Sequence, residues 1–165
     1  MRIKWFLPAA IGSAVLLVLL ATQRPAVGQD NEEARNLPGT WNVTLRFSDC
    51  TALCPCPGGV PNIPIPALHT YLKRESVLEI PGGTLFRGPG LGTWEHVGDH
   101  DFTAHFRFFI FNPDGSRRGS EVVTSHIDLS SPDTFEAAAT FDLFDAAGNM
   151  TGQGCRINET ATRFE

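Results

Sequence analysis

Residues 102–112 read FTAHFRFFIFN, and this stretch decides the fold because its apolar side chains recur at every second position. One row is apolar, namely Phe102, Ala104, Phe106, Phe108 and Ile110, and the polar residues Thr103, His105 and Arg107 stand in the gaps. Only an extended strand places residues i and i+2 on one face. The stretch is therefore predicted to be a β-strand with one buried face.

The same alternation recurs along the chain and predicts about eight strands joined by turns. The remaining segments with strand character are 39–48, 68–80 (two short strands), 93–97, 120–130, 135–143 and 151–164. No long helix is predicted that could cover the sheet, and an open sheet would leave both edges unpaired. These patterns favour an all-β fold in which an antiparallel meander closes into a single barrel, and a two-sheet β-sandwich is the alternative.

The first 28 residues have the pattern of a secretory signal peptide. Arg2 and Lys4 precede an apolar run from Trp5 to Ala21, and small residues at 26–28 suit a signal peptidase. An uncleaved membrane anchor is the alternative. We therefore predict a secreted or periplasmic protein whose residues 29–165 form one domain, with no membrane contact after cleavage.

The charge of the chain restricts the partners that can be expected. The formal net charge is −5, and removal of residues 1–28 takes away three basic residues and no acidic one. A dispersed acidic surface argues against nucleic acid or anionic lipid as a partner. No cofactor motif is found, so none is predicted.

Four cysteines lie in the exported part, and three of them fall in a proline-rich and cysteine-rich loop at residues 50–66. An even number of cysteines in an oxidising compartment indicates disulfides, with three possible connectivities. We favour Cys50 with Cys155, which would leave Cys54 and Cys56 able to pair only in a strained ring. A redox or metal site is the alternative, and the loop is either a lid or a stiff connector.

Residues 39–41, Gly-Thr-Trp, follow a polar segment and open the first strand. In this respect the chain resembles the calycin superfamily, which comprises lipocalins, fatty-acid-binding proteins and avidins. The resemblance implies a closed barrel in which Arg163 packs across Trp41 and, with Gly39, closes the base. The chain also resembles small exported bacterial proteins of unassigned function in its turn-rich strands with many phenylalanines.

The predicted inward rows contain several alanines beside the aromatic rings, so a cavity for a small apolar ligand is our first hypothesis. The expected ligand contacts are Trp94, His96, Phe106, Phe108, Phe141 and Glu159. A solid core, in which the rings fill the space beside the alanines, is the alternative. Glu159 has inward parity, and Arg163 on the same strand face is its expected ion-pair partner.

Two other classes of function are weighed against ligand binding. An isomerase or cyclase could enclose an apolar substrate near His96 and Glu159, although no nucleophile with an adjacent base and no metal motif is identified. An interaction module is the third class, because Phe109, Phe111 and Phe144 are predicted to expose aromatic rings near one end of adjacent strands. Such a patch would suit a homodimer contact.

Overall fold

Alternating apolar residues form eight strands in the computed structural model, which describes residues 36–83 and 86–165. The strands are β1 Gly39–Phe47, β2 Ile65–Leu72, β3 Ser76–Pro81, β4 Gly90–Gly98, β5 Asp101–Phe111, β6 Arg117–Ser131, β7 Thr134–Asp145 and β8 Met150–Arg163. Each strand pairs with the next in antiparallel fashion, and β1 also pairs with β8. The predicted closed meander barrel is thus confirmed, and the sandwich alternative is wrong.

The strand directions give the barrel two different ends. We call the end where β1 begins and β8 finishes the base, and the opposite end the mouth. The base carries short connections, and the mouth carries the connections 48–64, 82–89, 112–116 and 146–149. The long connection from β1 to β2 includes one turn of 3-10 helix at Pro57–Gly59. The mouth therefore has the longer loops, which in barrels surround the entrance.

Aromatic side chains fill the half of the barrel near the base. The Trp41 ring lies 4.9 Å from that of Phe135, and the Tyr71 ring lies 6.2 Å from the Phe135 ring, both edge to face. Trp94 and Phe102 form a further layer, with ring centroids 5.9 Å apart. All five rings are buried. This half is a packed core, as the solid-core alternative requires.

Arg163 covers the base. Its guanidinium carbon lies 4.2 Å from the centroid of the Trp41 ring, and the indole Nε1 donates to the Leu37 carbonyl at 2.9 Å. The guanidinium also donates to the carbonyls of Asn36, Pro38 and Pro132. Arg163 therefore links the start of the described chain, the end of β8 and the β6–β7 turn.

The predicted ion pair between Glu159 and Arg163 is wrong. Residues four apart in a strand are separated by about 13 Å along it, so the two side chains lie at different levels of the barrel. Arg163 instead approaches Asp133, with Nε 3.4 Å from Oδ1. Glu159 is 2 % exposed and accepts a hydrogen bond from Ser125 Oγ at 3.4 Å.

The four cysteines form two disulfides, but the predicted pairing of Cys50 with Cys155 is wrong. Cys50 bonds to Cys56 within the β1–β2 loop, and Cys54 bonds to Cys155 on β8. Cys155 is buried, and the loop folds back across the start of β8, so that Cys54 reaches it. Cysteine spacing carries no information about that loop path. Within the described part of the chain no cysteine is free.

The predicted signal peptide at residues 1–28 lies outside the described residues, and its assignment stays a prediction. Across 36–83 and 86–165, no helix has the length and apolarity that a membrane crossing requires.

Candidate functional site

The half of the barrel near the mouth contains a cavity of about 730 Å³. Eight large apolar side chains stand among the residues that line it: Phe47, Phe86, Phe108, Ile110, Phe111, Phe141, Leu143 and Phe144. Gly119 contributes only backbone to the wall, because a Cβ at this position would clash with the carbonyl oxygen of Phe144. The volume falls within the range of about 300–1,000 Å³ typical of small-molecule sites. The interior is therefore packed at the base and hollow near the mouth.

Four charged residues interrupt this apolar lining, namely Arg87, Arg118, Glu121 and Asp145, and of these Arg87 and Glu121 have the side chains most withdrawn from solvent. Arg87 comes from the β3–β4 loop, and its Nη2 lies 2.5 Å from Oε1 of Glu79 on β3. Both side chains are withdrawn from solvent, with 9 % of Arg87 and none of Glu79 exposed. The guanidinium carbon also lies 4.2 Å from the centroid of the Phe108 ring. Arg87, held by this buried ion pair with Glu79, therefore forms part of the cavity floor.

More buried polar groups accompany this pair. His69 is the cross-strand partner of Glu79, and its Nδ1 lies 3.3 Å from the Tyr71 hydroxyl. Burial, with a smaller contribution from Arg87, lowers the pKa of His69 to about 3, so the imidazole is neutral. Burial also raises the pKa of Glu159 to about 7, and the nearby Glu79 adds to that shift. Burial is likewise the main cause that raises the pKa of Tyr71.

Several polar atoms around the floor lack hydrogen-bond partners within the described residues. His69 Nε2, Glu79 Oε2 and Arg87 Nε are all buried and unpaired. They belong to three residues that are neighbours in space, because His69 faces Glu79 across β2 and β3 and Arg87 bonds to Glu79. Buried polar groups in folded proteins are normally paired with protein, water or ligand. The cluster therefore has unused hydrogen-bonding capacity next to the cavity, and Arg87 is the member that lines it.

Glu121 also lacks a hydrogen-bond or ion-pair partner among the residues described. It is 8 % exposed and lines the cavity. Burial raises its pKa to about 8; Arg87 opposes that shift and Glu79 adds to it. At neutral pH the carboxyl group is therefore mainly protonated, which is how an isolated buried acid avoids the cost of an unpaired charge.

The structure separates the residues that the sequence grouped as ligand contacts. Phe108 and Phe141 line the cavity. Phe106 is buried deeper, with its ring 5.7 Å from that of His69. Trp94 lies in the base layer and donates from Nε1 to the Leu72 carbonyl at 2.9 Å. Glu159 is buried in the interior but does not line the cavity.

The expected placement of His96 in the lumen is wrong. Its side chain is exposed and stacks on Phe102, with ring centroids 4.7 Å apart. The parity of β4 is as predicted, but the interior ends at the layer of Trp94 and Phe102, and His96 lies beyond it. The pairing of His96 with Glu159 that an isomerase or cyclase would use is therefore not assembled.

The residues expected to form an exposed aromatic patch are divided. Phe111 and Phe144 line the cavity, and Arg107 covers the outer side of Phe144 at 5.8 Å from its ring centroid. Phe109 is 46 % exposed. The rings at the strand ends thus belong partly to the mouth, and the homodimer stays a prediction.

The cysteine-rich loop borders the same entrance. Pro55 and Cys56 line the cavity, and the two disulfides fix this part of the loop to itself and to β8. The loop therefore forms part of the cavity lining, as a lid would, and is fixed by disulfides, as a stiff connector would be.

Sequence reasoning missed Glu79, Arg87 and Glu121. Glu79 and Glu121 share the inward parity of Val77 and Val123, so extension of those rows by two residues would have found them. Arg87 lies in a glycine-rich loop whose path no periodicity reports.

No group of three or more His, Cys, Asp or Glu side chains in the described part of the chain is arranged to hold a metal ion. A comparison of the sequence with known family models finds no match, and a comparison with curated proteins finds none either.

Proposed function

We propose that this protein is an exported, lipocalin-like barrel that binds a small and largely apolar molecule in the cavity near its mouth. The observation that carries the proposal is a cavity of about 730 Å³ at the mouth, lined by eight large apolar side chains beside a small number of polar groups. That combination is typical of small-molecule sites, in which apolar walls provide affinity and a few polar atoms fix orientation. The Gly-x-Trp start and the arginine over the tryptophan ring support the likeness to calycins.

The two disulfides are compatible with export and also support a preformed binding site. The predicted signal peptide and the two disulfides suit an oxidising compartment outside the cytoplasm. The same disulfides hold one wall of the mouth in place. A site that is already formed loses less conformational entropy when a ligand enters, and this favours affinity.

Titration with a neutral, environment-sensitive dye such as Nile red tests the proposal. We expect saturable fluorescence enhancement, and a melting temperature that rises with dye concentration because ligand binds only the folded state. Leu143→Trp would place a bulky ring in part of the cavity and should weaken binding by roughly ten-fold or more, which is about 1.4 kcal/mol. Leu91→Trp is the matched control, because Leu91 is 66 % exposed on the outer face of β4.

Two outcomes would contradict the proposal. One is the absence of saturable binding by the wild-type protein. The other is equal binding by the Leu143→Trp and Leu91→Trp variants, which would place the dye on the outer surface.

A further inference from the structure

Glu121 is an acid that stands in a largely apolar part of the cavity wall. Its cross-strand neighbours are Phe108 on β5 and Leu143 on β7, and both line the cavity. The residue is 8 % exposed, and its carboxyl group has no hydrogen-bond or ion-pair partner within residues 36–83 and 86–165. A carboxylate in such a position is strongly destabilised unless a positive charge or several donors reach it. The cavity is the direction from which such a group can come.

The other charged groups around the cavity do not supply that partner. Arg87 is already matched by Glu79 at 2.5 Å. Further inside, Glu159 accepts from Ser125, and His69 is neutral. At the rim, Arg118 and Asp145 bring one charge of each sign. The described interior therefore contains three carboxyl groups, on Glu79, Glu121 and Glu159, against one guanidinium, so Glu121 has no cation of its own there when it ionises.

The aromatic lining is also suited to a cation. Phe47 and Phe141 pack edge to face at 5.5 Å beside the cavity, and Phe108 forms the wall next to Glu121. The faces of aromatic rings attract cations within about 6 Å of the ring centroid. Arg87 already makes such a contact with Phe108.

We propose that the molecule bound in this cavity is an apolar amine, whose ammonium group pairs with Glu121 while its hydrocarbon part lies among the phenylalanines. The inference rests on the proposed function and specifies the chemical class of its ligand. An anionic head group would add to the excess of carboxyl groups. A neutral head group would leave Glu121 with its proton.

Binding of an amine beside Glu121 should release a proton, which binding to a purely apolar site would not do. Burial keeps Glu121 protonated at neutral pH, with Arg87 and Glu79 acting in opposite directions on its pKa. Binding of an ammonium group favours the ionised carboxylate, so the proton leaves for the solvent. The affinity for the amine therefore rises as the pH rises from 6 to 8, whereas the affinity for a neutral ligand of the same length does not.

Octylamine, 1-octanol and octanoate provide a series with one chain length and three charges. We expect calorimetric titration of the wild-type protein at pH 7.5 to give roughly ten-fold or greater preference for octylamine over 1-octanol. Titrations in two buffers of different ionisation enthalpy should show proton release with octylamine alone. Octanoate should bind most weakly.

Glu121→Gln keeps the shape of the side chain and removes its ability to ionise. In this variant the preference for octylamine and the proton release should disappear, while 1-octanol binds within about two-fold of wild type. Glu136→Gln, at an exposed position on β7, is the matched control and should behave as wild type.

The outcomes separate the two proposals. Binding of 1-octanol at least as tight as that of octylamine by the wild-type protein, or an amine preference that survives in Glu121→Gln, overturns the amine assignment and leaves the apolar site standing. Failure of all three molecules to bind overturns the proposed function as well.

Discussion

Replacement of Arg87 by methionine tests whether the cavity floor depends on its buried ion pair. Methionine keeps an apolar stem over Phe108 and removes the cation that faces Glu79. The Glu79 side chain has no exposure, so its carboxylate would be left without compensation. Breaking a buried pair from one side costs about 3–5 kcal/mol. Because small proteins unfold with only about 5–15 kcal/mol, we expect a large loss of stability at pH 7.5.

The loss should depend on pH in a defined direction. Burial already raises the pKa of Glu79 although Arg87 opposes the shift, so removal of Arg87 raises that pKa further. A group whose folded-state pKa lies above its unfolded-state value of about 4.3 destabilises the fold only as it ionises. The deficit of the Arg87→Met variant should therefore be small near pH 4.5 and grow as the pH rises towards 7.5.

Urea unfolding at these two pH values measures the effect, and Arg156→Met is the matched control. Arg156 approaches Asp49 at 3.7 Å, but these side chains are 71 % and 52 % exposed, so its loss should be about 0–1 kcal/mol. The double variant Arg87→Met with Glu79→Gln should recover part of the stability, since no buried charge remains. Equal losses for Arg87→Met and Arg156→Met at pH 7.5, or a deficit that persists at pH 4.5, would refute the reasoning.

Three further predictions concern the covalent links, the base and the cavity acid. Replacement of both cysteines of the Cys54–Cys155 bridge by serine should lower the free energy of unfolding in urea by about 4–5 kcal/mol, against about 2 kcal/mol for the Cys50–Cys56 bridge. The difference is expected because the bridged residues are 101 and 6 positions apart in the sequence. Equal costs would contradict this loop-length argument. Gly39→Ala should lower the melting temperature more than Gly83→Ala. Both glycines have φ near +140°, but only a Cβ at Gly39 would clash with Arg163 Nη1. Similar shifts of the melting temperature would exclude that contact as the cause. Burial raises the pKa of Glu121 to about 8, so its contribution to stability is complete below about pH 4.3 and is lost as the pH rises towards 8. The urea midpoint of Glu121→Gln should therefore vary less with pH between 5 and 8 than that of the wild-type protein. An unchanged pH dependence of the midpoint would count against a buried acid.

The sequence predicts the order and inward rows of the strands because strand periodicity is a local property. The row from Phe102 to Ile110 points inward as expected, and so do Val123 and Phe141. Parity also places Glu159 in the interior. It fails at His96, because alternation tells which face a residue occupies but not where along the barrel the interior ends.

The candidate site is harder to predict from the sequence because two of its parts come from loops. Arg87 enters the floor from the β3–β4 connection, and Cys54 finds Cys155 only because the β1–β2 loop folds back over β8. Neither path follows from residue spacing. Glu121 could have been found, since it continues the inward row of β6.

The sequence by itself determined an all-β chain with eight strands in meander order, because the period of two and the turn residues act between near neighbours. Only the tertiary structure decided which disulfides form, how far the interior is filled, and that Glu121 and the Glu79-bound Arg87 line the same cavity. Those features depend on closure of the sheet into a barrel, which brings together side chains that are far apart in the chain. Charge balance and free volume belong to that enclosed space and not to any one strand.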